Sequence, residues 1–328
     1  MENVIEYNGQ VLKTKYDYEL SDEKFEELKK QYYAIPDYDD VKKEFINIAA
    51  GKTKVANITN YYYKDLMAKV RIYSCKWSIE DVFNCKPLLG LFYQKTFGNK
   101  KIFPDSHSDI KKIETAIRLG GKGYAKKPTN FPLKTANEIL EKYNVNGNYY
   151  DYSCGWGIRL LAALKNNINY YGTDPNNLLT TRLLNMAWDW KEVVGSSPFI
   201  DIRTQGSEVF NPDWENKIGL AFSSPPYFYL EDYKIGNQSY KEGVSYESWK
   251  ENYLRKTMEN IYKYLVDDGY FLININNFDK FALVEDTYRI ALEQGFTYIE
   301  SLQLDNIQRC NSNGGFNDNS EKILVFKK

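Results

Sequence analysis

Histidine is nearly absent from this 328-residue chain, which contains His107 alone. A metal site built on several histidines is therefore excluded. The four cysteines stand at positions 75, 85, 154 and 310, and no two of them form a Cys-x-x-Cys pair. This scatter indicates neither a zinc site nor a disulfide framework. We therefore expect a protein without a metal in a reducing, cytoplasmic setting.

Long apolar runs and a strong net charge are also lacking. No stretch of about eighteen apolar residues is present, and the first residues do not join a basic region to an apolar one. We therefore expect neither a membrane span nor a signal peptide. The formal net charge is −1, so a surface that binds nucleic acid would have to be local. Hydrophobic residues at 43% and aromatic residues at 16% predict a packed core.

The first 127 residues are predicted to form a mainly helical domain. Apolar residues recur at helical spacing over 22–33, where Ser21 is a suitable N-cap. A second helix is predicted over 38–50, and Ser78 opens a capping box. Aromatic residues are frequent between 60 and 98. They indicate either an aromatic core or a surface that binds an aromatic ligand, and we favour the core.

A locally basic segment begins at residue 100. Nine lysines and arginines stand against three acidic residues between 100 and 134. The stretch 120–128 combines glycines with Lys122, Lys126 and Lys127, and we predict a linker there that ends the first domain at residue 127. A basic stretch is either a solvated surface or a site that contacts phosphates. The second interpretation makes these three lysines candidates for binding nucleic acid.

Residues 128–328 alternate between helical and extended patterns, which predicts an α/β domain with a doubly wound, mostly parallel sheet. A pair of strands without a helix between them ends the chain, so we expect an antiparallel terminal hairpin. The predicted strands cover 149–153, 170–174, 199–203, 217–222, 270–274, 297–304 and 322–328. The predicted helices cover 133–143, 158–164, 178–190, 249–265 and 279–294.

A rigid corner follows the strand at 217–222, where the chain reads Ser224-Pro225-Pro226-Tyr227. The two prolines remove two N–H donors and restrict two φ angles, and the first keeps Ser224 out of the helical region. The corner offers the serine hydroxyl and two carbonyl groups as acceptors, and Tyr227 as an aromatic surface. This combination suits a planar amine, whose hydrogens need acceptors and whose ring can stack.

A glycine motif follows the first strand of the same domain, where Gly155-Trp156-Gly157 precedes a predicted helix. Glycines there allow positive φ angles and close approach of a bound molecule. A nicotinamide fingerprint would need a third glycine at the position of Leu160, so that cofactor class is not indicated. Trp156 either packs under the helix or lines a pocket. Asp174 ends the second strand, where a carboxylate can accept ribose hydroxyls.

These motifs, in this order, resemble the S-adenosylmethionine-dependent DNA methyltransferases that modify amino groups, cytosine N4 or adenine N6. Their catalytic motif is Asp/Asn/Ser-Pro-Pro-Tyr/Phe, and the resemblance covers residues 128–328. It implies the methyltransferase form of the Rossmann-like fold and a base flipped out of DNA. It also implies catalytic roles for Ser224, Pro225, Pro226 and Tyr227. The cofactor contacts it implies are Asp151, Ser153, Gly155, Trp156, Gly157, Asp174 and Ser207.

Several alternatives share part of this pattern. Serine in the first motif position is commoner among the cytosine enzymes, so cytosine N4 is preferred over adenine N6. Ring-carbon methylation needs a Pro-Cys nucleophile, and none of the four cysteines follows a proline. RNA methyltransferases and protein glutamine methyltransferases keep the fold and change the substrate. A catalytically silent, cofactor-binding partner subunit also remains possible. Recognition would rest on residues 1–127 and the segment 228–249.

Overall fold

The computed structural model describes residues 3–15, 19–97, 109–235, 237–241, 243–277, 279–303 and 321–328. The chain forms two compact units. Unit one comprises Met1–Asp37, Tyr63–Thr129 and Leu230–Lys234, and unit two comprises Tyr38–Tyr62, Asn130–Tyr229 and Ile235–Lys328. The second segment of unit one ends at Thr129, two residues after the predicted domain boundary at residue 127. Residues 38–62, predicted as part of the first domain, belong to unit two.

Unit one begins with a hairpin of strands β1 (Asn3–Tyr7) and β2 (Gln10–Thr14), which pair antiparallel. Asn8 and Gly9 form its two-residue turn with φ angles of 49° and 69°. This Asn-Gly pair is the standard signal for a two-residue hairpin turn, although no hairpin was predicted there. Helix α1 (Asp22–Tyr33) follows, and the Ser21 side chain caps it as predicted.

The rest of unit one is mainly helical. Ser78 and Asp81 form the predicted capping box at the start of α4, and the neighbouring rings pack into the core. Tyr32, for example, stacks on Phe83 with ring centroids 4.3 Å apart, and both are buried. The aromatic-core interpretation of this region is therefore supported. The elements are β3 (Arg71–Ile72), α4 (Ile79–Asn84), α5 (Lys86–Phe97), α6 (Asp109–Thr115), a π-helical turn (Ala116–Gly120) and β8 (Glu231–Asp232), which pairs with β3.

Unit two contains a seven-stranded sheet. Its strands are β4 (Asn148–Asp151), β5 (Asn169–Asp174), β6 (Ile200–Thr204), β7 (Ile218–Ser223), β9 (Leu265–Ile275), β10 (Thr297–Gln303) and β11 (Lys322–Lys327). Their spatial order is β10-β11-β9-β7-β4-β5-β6. The strands from β9 to β6 run parallel, and β11 is antiparallel to both of its neighbours. The predicted α/β class, with a mostly parallel sheet and an antiparallel terminal pair, is confirmed.

The helices of unit two are α2 (Tyr38–Ala49), α7 (Leu133–Tyr143), α8 (Ile158–Lys165), α9 (Asn177–Val194), α10 (Tyr246–Trp249), α11 (Lys256–Tyr264) and α12 (Leu283–Glu293). A π-helical stretch (Lys250–Arg255) joins α10 to α11. Helix α3 (Ala56–Lys69) begins in unit two and ends in unit one. Every residue of β7 is buried, which explains the continuous apolar run that marked this strand.

Three predicted boundaries differ from the structure by four residues or more, and one of them is the end of α9, at Val194 instead of residue 190. Strand β9 begins at Leu265, five residues before the predicted start. Asp268 accommodates this extension with a φ of 64°, and the register of β9 on β7 shifts in the same region. A polar Asp-Asp-Gly sequence thus lies within the strand as an irregularity rather than forming a separate turn. Helix α12 begins at Leu283, four residues after the predicted start.

His107 and Cys310 lie outside the described residues. Within the described ranges, no helix is both long and apolar enough to cross a membrane. The same ranges contain no group of three or more histidine, cysteine, aspartate or glutamate side chains that could hold a metal ion.

Candidate active site

Three neighbouring parallel strands end at the same edge of the unit-two sheet. Strand β4 ends at Asp151, β5 at Asp174 and β7 at Ser223. From β4 the chain first adds β5 and β6 on one side of that strand. It then adds β7 and β9 on the opposite side. The edge between β4 and β7 is thus a topological switch point, where open α/β sheets bind ligands. The predicted cofactor loop and the Ser-Pro-Pro-Tyr corner both start from this edge.

The glycine turn after β4 has left-handed backbone conformations. Gly155 has a φ of 53° and Gly157 a φ of 73°, and Gly157 precedes the first turn of α8. These angles favour glycine, because other residues rarely adopt them. The Gly155 N–H donates to Oδ2 of Asp174 at 3.4 Å. The predicted cofactor loop and the tip of β5 therefore contact each other directly. Trp156, between the two glycines, is half-buried.

The Asp151 carboxylate is occupied by the fold itself. It is fully buried and accepts from Nε of Arg159 at 2.9 Å and from Nη2 at 3.1 Å. The Tyr170 and Ser223 hydroxyls donate to it at 3.0 and 2.8 Å. With four such donors its oxygens have little capacity left for a ligand. The Asp151 side chain therefore holds the loop after β4, and its predicted contact with a cofactor stays a prediction.

Ser153 and Ser207 lie on either side of the buried Tyr253. The Tyr253 hydroxyl forms side-chain hydrogen bonds with both serines, which oppose part of the increase in its pKa caused by burial. The Ser207 hydroxyl also bonds to Thr257 at 2.8 Å, and Ser207 is only 2% exposed. Ser207 thus connects the turn after β6 to the helical segment 250–264. Its hydroxyl has partners within the protein.

Asp174 is a half-buried carboxylate with an altered acidity. Burial raises its pKa to about 7, and the N–H groups of Asn176 and Gly155 oppose part of that shift. The Asn176 N–H donates to Oδ1 at 3.0 Å. A ligand that donates hydrogen bonds to this carboxylate favours its ionised form. Asp174 can therefore bind hydroxyl groups in a manner that depends on pH near neutrality.

Glu208, directly after Ser207, was not among the predicted site residues. Its Oε2 is buried and has no hydrogen-bond partner among the residues that the structure describes. A Cβ atom at position 206 would lie 2.2 Å from this oxygen, so the carboxylate folds over Gly206. A buried, unpaired carboxylate oxygen is costly.

The Ser-Pro-Pro-Tyr corner is tied to β9 at two points. Asn274 donates from Nδ2 to Oγ of Ser224 at 3.0 Å. The Tyr227 hydroxyl donates to the backbone carbonyl of Asn274 at 3.1 Å. Pro225 is buried, whereas Ser224, Pro226 and Tyr227 are half-buried. These bonds fix both the serine hydroxyl and the tyrosine ring at the sheet edge.

Phe228, directly after the corner, has an unusual backbone. Its φ is 54°, a left-handed value that is strained for an aromatic residue, and it is buried. Such strain persists only where the surroundings enforce it, and it is frequent at active sites. The rings around Phe228, at centroid distances of 4.9–5.6 Å, are Tyr229, Tyr240, Tyr246, Trp249 and Phe281. Parts of the predicted loop 228–249 therefore pack as an aromatic cluster.

The three candidate lysines lie in unit one and differ in exposure. Lys122 and Lys126 are exposed, as contacts to phosphate require. Lys127 is half-buried, and burial lowers its pKa. A charge held away from solvent in this way is less accessible to a phosphate than the other two. Nucleic-acid binding by these lysines stays a prediction, and Lys122 and Lys126 are the two that are exposed.

Two further residues that shape the site, Arg159 and Asn274, were not predicted from the sequence. Arg159 is a single charge within the apolar run of α8, and Asn274 is a polar residue within the apolar strand β9. Each is a buried polar residue in an element whose pattern calls for apolar ones, which is a recognisable signal. Their partners, Asp151 and Ser224, are identified only when the strands are assembled.

Neither a family model nor a curated protein matches this chain. Among solved structures, it is similar to a TehB-like S-adenosylmethionine-dependent methyltransferase from Corynebacterium glutamicum. The sequence identity is 15%, the match covers 59% of this chain and 87% of that chain, and the TM-score is 0.40. It is also similar to a magnesium protoporphyrin IX methyltransferase from Synechocystis with bound S-adenosylmethionine, at 11% identity, 73% and 94% coverage and a TM-score of 0.40.

A third similar structure is the 4+2 cyclase SpnF, at 12% identity, 60% and 80% coverage and a TM-score of 0.42. Similarities this distant carry no argument about substrate or reaction. The fold assignment of this chain rests on its own strand order, and its function must be argued from the site.

Proposed function

We propose that this protein is an S-adenosylmethionine-dependent methyltransferase that modifies an exocyclic base nitrogen in DNA, with cytosine N4 preferred over adenine N6. The observation that carries this proposal is the meeting of three motifs at one sheet edge. The Gly155–Gly157 turn, Asp174 and the Ser224–Tyr227 corner follow three adjacent parallel strands. Together they provide a place for a nucleoside-type cofactor beside a group of acceptors for an amine.

The residues present fit such a cofactor. The left-handed turn at Gly155 and Gly157 keeps side chains away from the backbone, so that a ligand can approach it. Asp174 would accept the ribose hydroxyls. The unpaired Oε2 of Glu208 would accept from the adenine amino group.

The corner supplies what the reaction needs from the protein. S-adenosylmethionine, held by the Gly155–Gly157 turn and Asp174, would supply an electrophilic methyl group on a sulfonium that leaves as a neutral thioether. Oγ of Ser224 and the carbonyl of Pro225 would accept the amine hydrogens and so direct the nitrogen lone pair. The Tyr227 ring would stack on the target base. Neither a histidine nor a cysteine is needed, because the product amine releases its proton to water.

Transfer of a labelled methyl group tests the proposal directly. The purified protein is incubated with labelled S-adenosylmethionine and, separately, with DNA, RNA and a glutamine-containing protein, and the products are digested and analysed by mass spectrometry. We expect labelled N4-methylcytosine from DNA. N6-methyladenine would change the preferred base, and label only in RNA or in protein would replace DNA as the substrate. Cofactor binding without any transfer would indicate a silent partner subunit.

Cofactor affinity is expected to increase with pH through about 7, because ribose hydroxyls donate to the ionised form of Asp174. Below that pH the carboxyl must lose a proton on binding, which costs up to about tenfold in affinity per pH unit. Asp174→Asn should bind the cofactor more weakly at pH 8, and its affinity should not increase with pH through about 7. Calorimetric titration of both proteins from pH 5.5 to 8.5 measures the difference. Parallel pH profiles in the two proteins would contradict the role of Asp174.

Neutralising Lys122 and Lys126 with glutamine is expected to weaken DNA binding about equally for different DNA sequences. Contacts to phosphate carry no sequence information, and each one lost should lower the slope of log affinity against log salt by up to about 0.9. The matched control is the exposed pair Lys52 and Lys54, changed in the same way. Fluorescence anisotropy over a range of salt concentrations gives the slopes. Equal slopes for both double variants would identify the basic stretch as a solvated surface.

A further inference from the structure

Asn274 lies beside Ser224 at the ends of two adjacent parallel strands. Strands β7 and β9 are in register there, with Ser223 opposite Ile273, so the next position pairs Ser224 with Asn274. The side chains meet, since Nδ2 of Asn274 donates to Oγ of Ser224 at 3.0 Å. The register of the sheet thus sets this contact.

The Asn274 side chain is energetically unfavourable at its buried position. Asn274 is only 3% exposed, and its Oδ1 is buried without a hydrogen-bond partner among the described residues. The reverse orientation of the amide would instead leave N–H donors unpaired, which proteins tolerate less well. An apolar residue would fill this position without either cost. The asparagine is therefore best explained by what its amide does to Ser224.

The amide fixes how the serine hydroxyl can be used. Within the described residues, the bond from Asn274 is the one hydrogen bond that the Ser224 hydroxyl makes. An amide N–H can only donate, so it occupies one lone pair of Oγ. The other lone pair and the O–H hydrogen stay available to a ligand. Ser224 therefore presents an acceptor and a donor side by side.

We propose that Asn274 is a positioning residue that adapts Ser224 to an amine whose neighbouring ring nitrogen carries a free lone pair. The inference rests on the proposed function and specifies its substrate class. Oγ of Ser224 accepts one amine hydrogen while its O–H donates to the ring nitrogen. The 4-amino group of cytosine beside N3 and the 6-amino group of adenine beside N1 both have this arrangement.

The test compares oligonucleotides that carry cytosine or 3-deazacytosine, which keeps the amine and replaces N3 by C–H. The corresponding pair is adenine and 1-deazaadenine if the protein methylates adenine. Single-turnover transfer is measured with saturating labelled cofactor. The wild type should be roughly tenfold slower on the deaza base, the upper range for loss of one neutral hydrogen bond. Equal wild-type rates on the two bases would overturn the proposal.

Asn274→Asp supplies the second comparison. At pH 8 its ionised carboxylate can only accept, so it should take the Ser224 O–H hydrogen that the ring nitrogen needs. We expect roughly tenfold slower transfer to the normal base and no further loss on the deaza base. The protonated carboxyl can donate again, so the preference for the normal base should return as the pH falls from 8 to 5. A preference that stays absent at low pH would contradict the proposal.

Asn274→Leu separates this role from a merely structural one. If Asn274 only completes the core, the leucine and aspartate variants should change the stability. They should then slow methyl transfer to both bases equally at every pH. Cofactor affinity measured by calorimetry identifies the variants that remain folded. The comparison of the two bases with the wild-type protein does not depend on any variant folding. A wild type that methylates DNA with equal rates on both bases overturns this inference alone. A wild type that methylates no base overturns the proposed function and this inference together.

Discussion

Replacing Arg159 with methionine is expected to lower the free energy of unfolding by about 3–5 kcal/mol. The change removes both guanidinium bonds to Asp151 and leaves that carboxylate buried without its charged partner. The Tyr170 and Ser223 hydroxyls would remain as donors, but neutral groups cannot balance a full charge away from water. Urea unfolding followed by fluorescence measures the loss.

A matched pair in the same sheet supplies the control. Arg203 also makes two bonds to an aspartate, Asp201, at 2.6 and 2.9 Å, but its side chain is 45% exposed. Arg203→Met should therefore cost less than about 1 kcal/mol. Adding Asp151→Asn to Arg159→Met should recover part of the loss, because it removes the unpaired charge. A loss below about 1 kcal/mol for Arg159→Met would contradict the structural role assigned to this ion pair.

Local patterns were sufficient for most of unit two. The predicted helix 133–143 has the bounds of α7, because its apolar residues recur at helical spacing and Pro132 precedes it. The strands from β4 to β7 were found within one or two residues at each end, since buried runs between turn signals are strong local features. The location of the site at the carboxyl ends of these strands follows from the alternation of strands and helices.

Non-local contacts account for what the sequence did not reveal. The pairing of Ser224 with Asn274 depends on the register between β7 and β9, fifty residues apart in the chain. The hydrogen bonds that Asp151 accepts depend in part on Tyr170 and Ser223, which come from two different strands. In each case the residue type was visible, but its partner is set by the assembled sheet. Sequence patterns therefore predicted the location of the site better than the role of each residue in it.

Replacing Ser224 with alanine is expected to leave cofactor affinity nearly unchanged and to slow methyl transfer. The hydroxyl would contact the target amine, so its loss removes a hydrogen bond that matters most in the transition state. Losing one such positioned group costs about 10²–10³ in rate, or 2.7–4 kcal/mol. The Pro225 carbonyl remains as an acceptor, which makes the lower part of this range the expected one. Single-turnover transfer beside calorimetric cofactor titration gives both quantities.

The neighbouring serine provides a control one residue away. Ser223 is fully buried, and its hydroxyl donates to Asp151, so Ser223→Ala should lower stability rather than the transfer rate of the folded protein. Tyr227→Ala should weaken base binding by about 1–3 kcal/mol through lost stacking, whereas Tyr227→Phe keeps the ring. If the corner were only a stiff turn, Ser224→Ala would transfer methyl groups at the full rate. Tyr227→Ala would then lose activity only to the extent that it unfolds, which a thermal melt of the same sample measures.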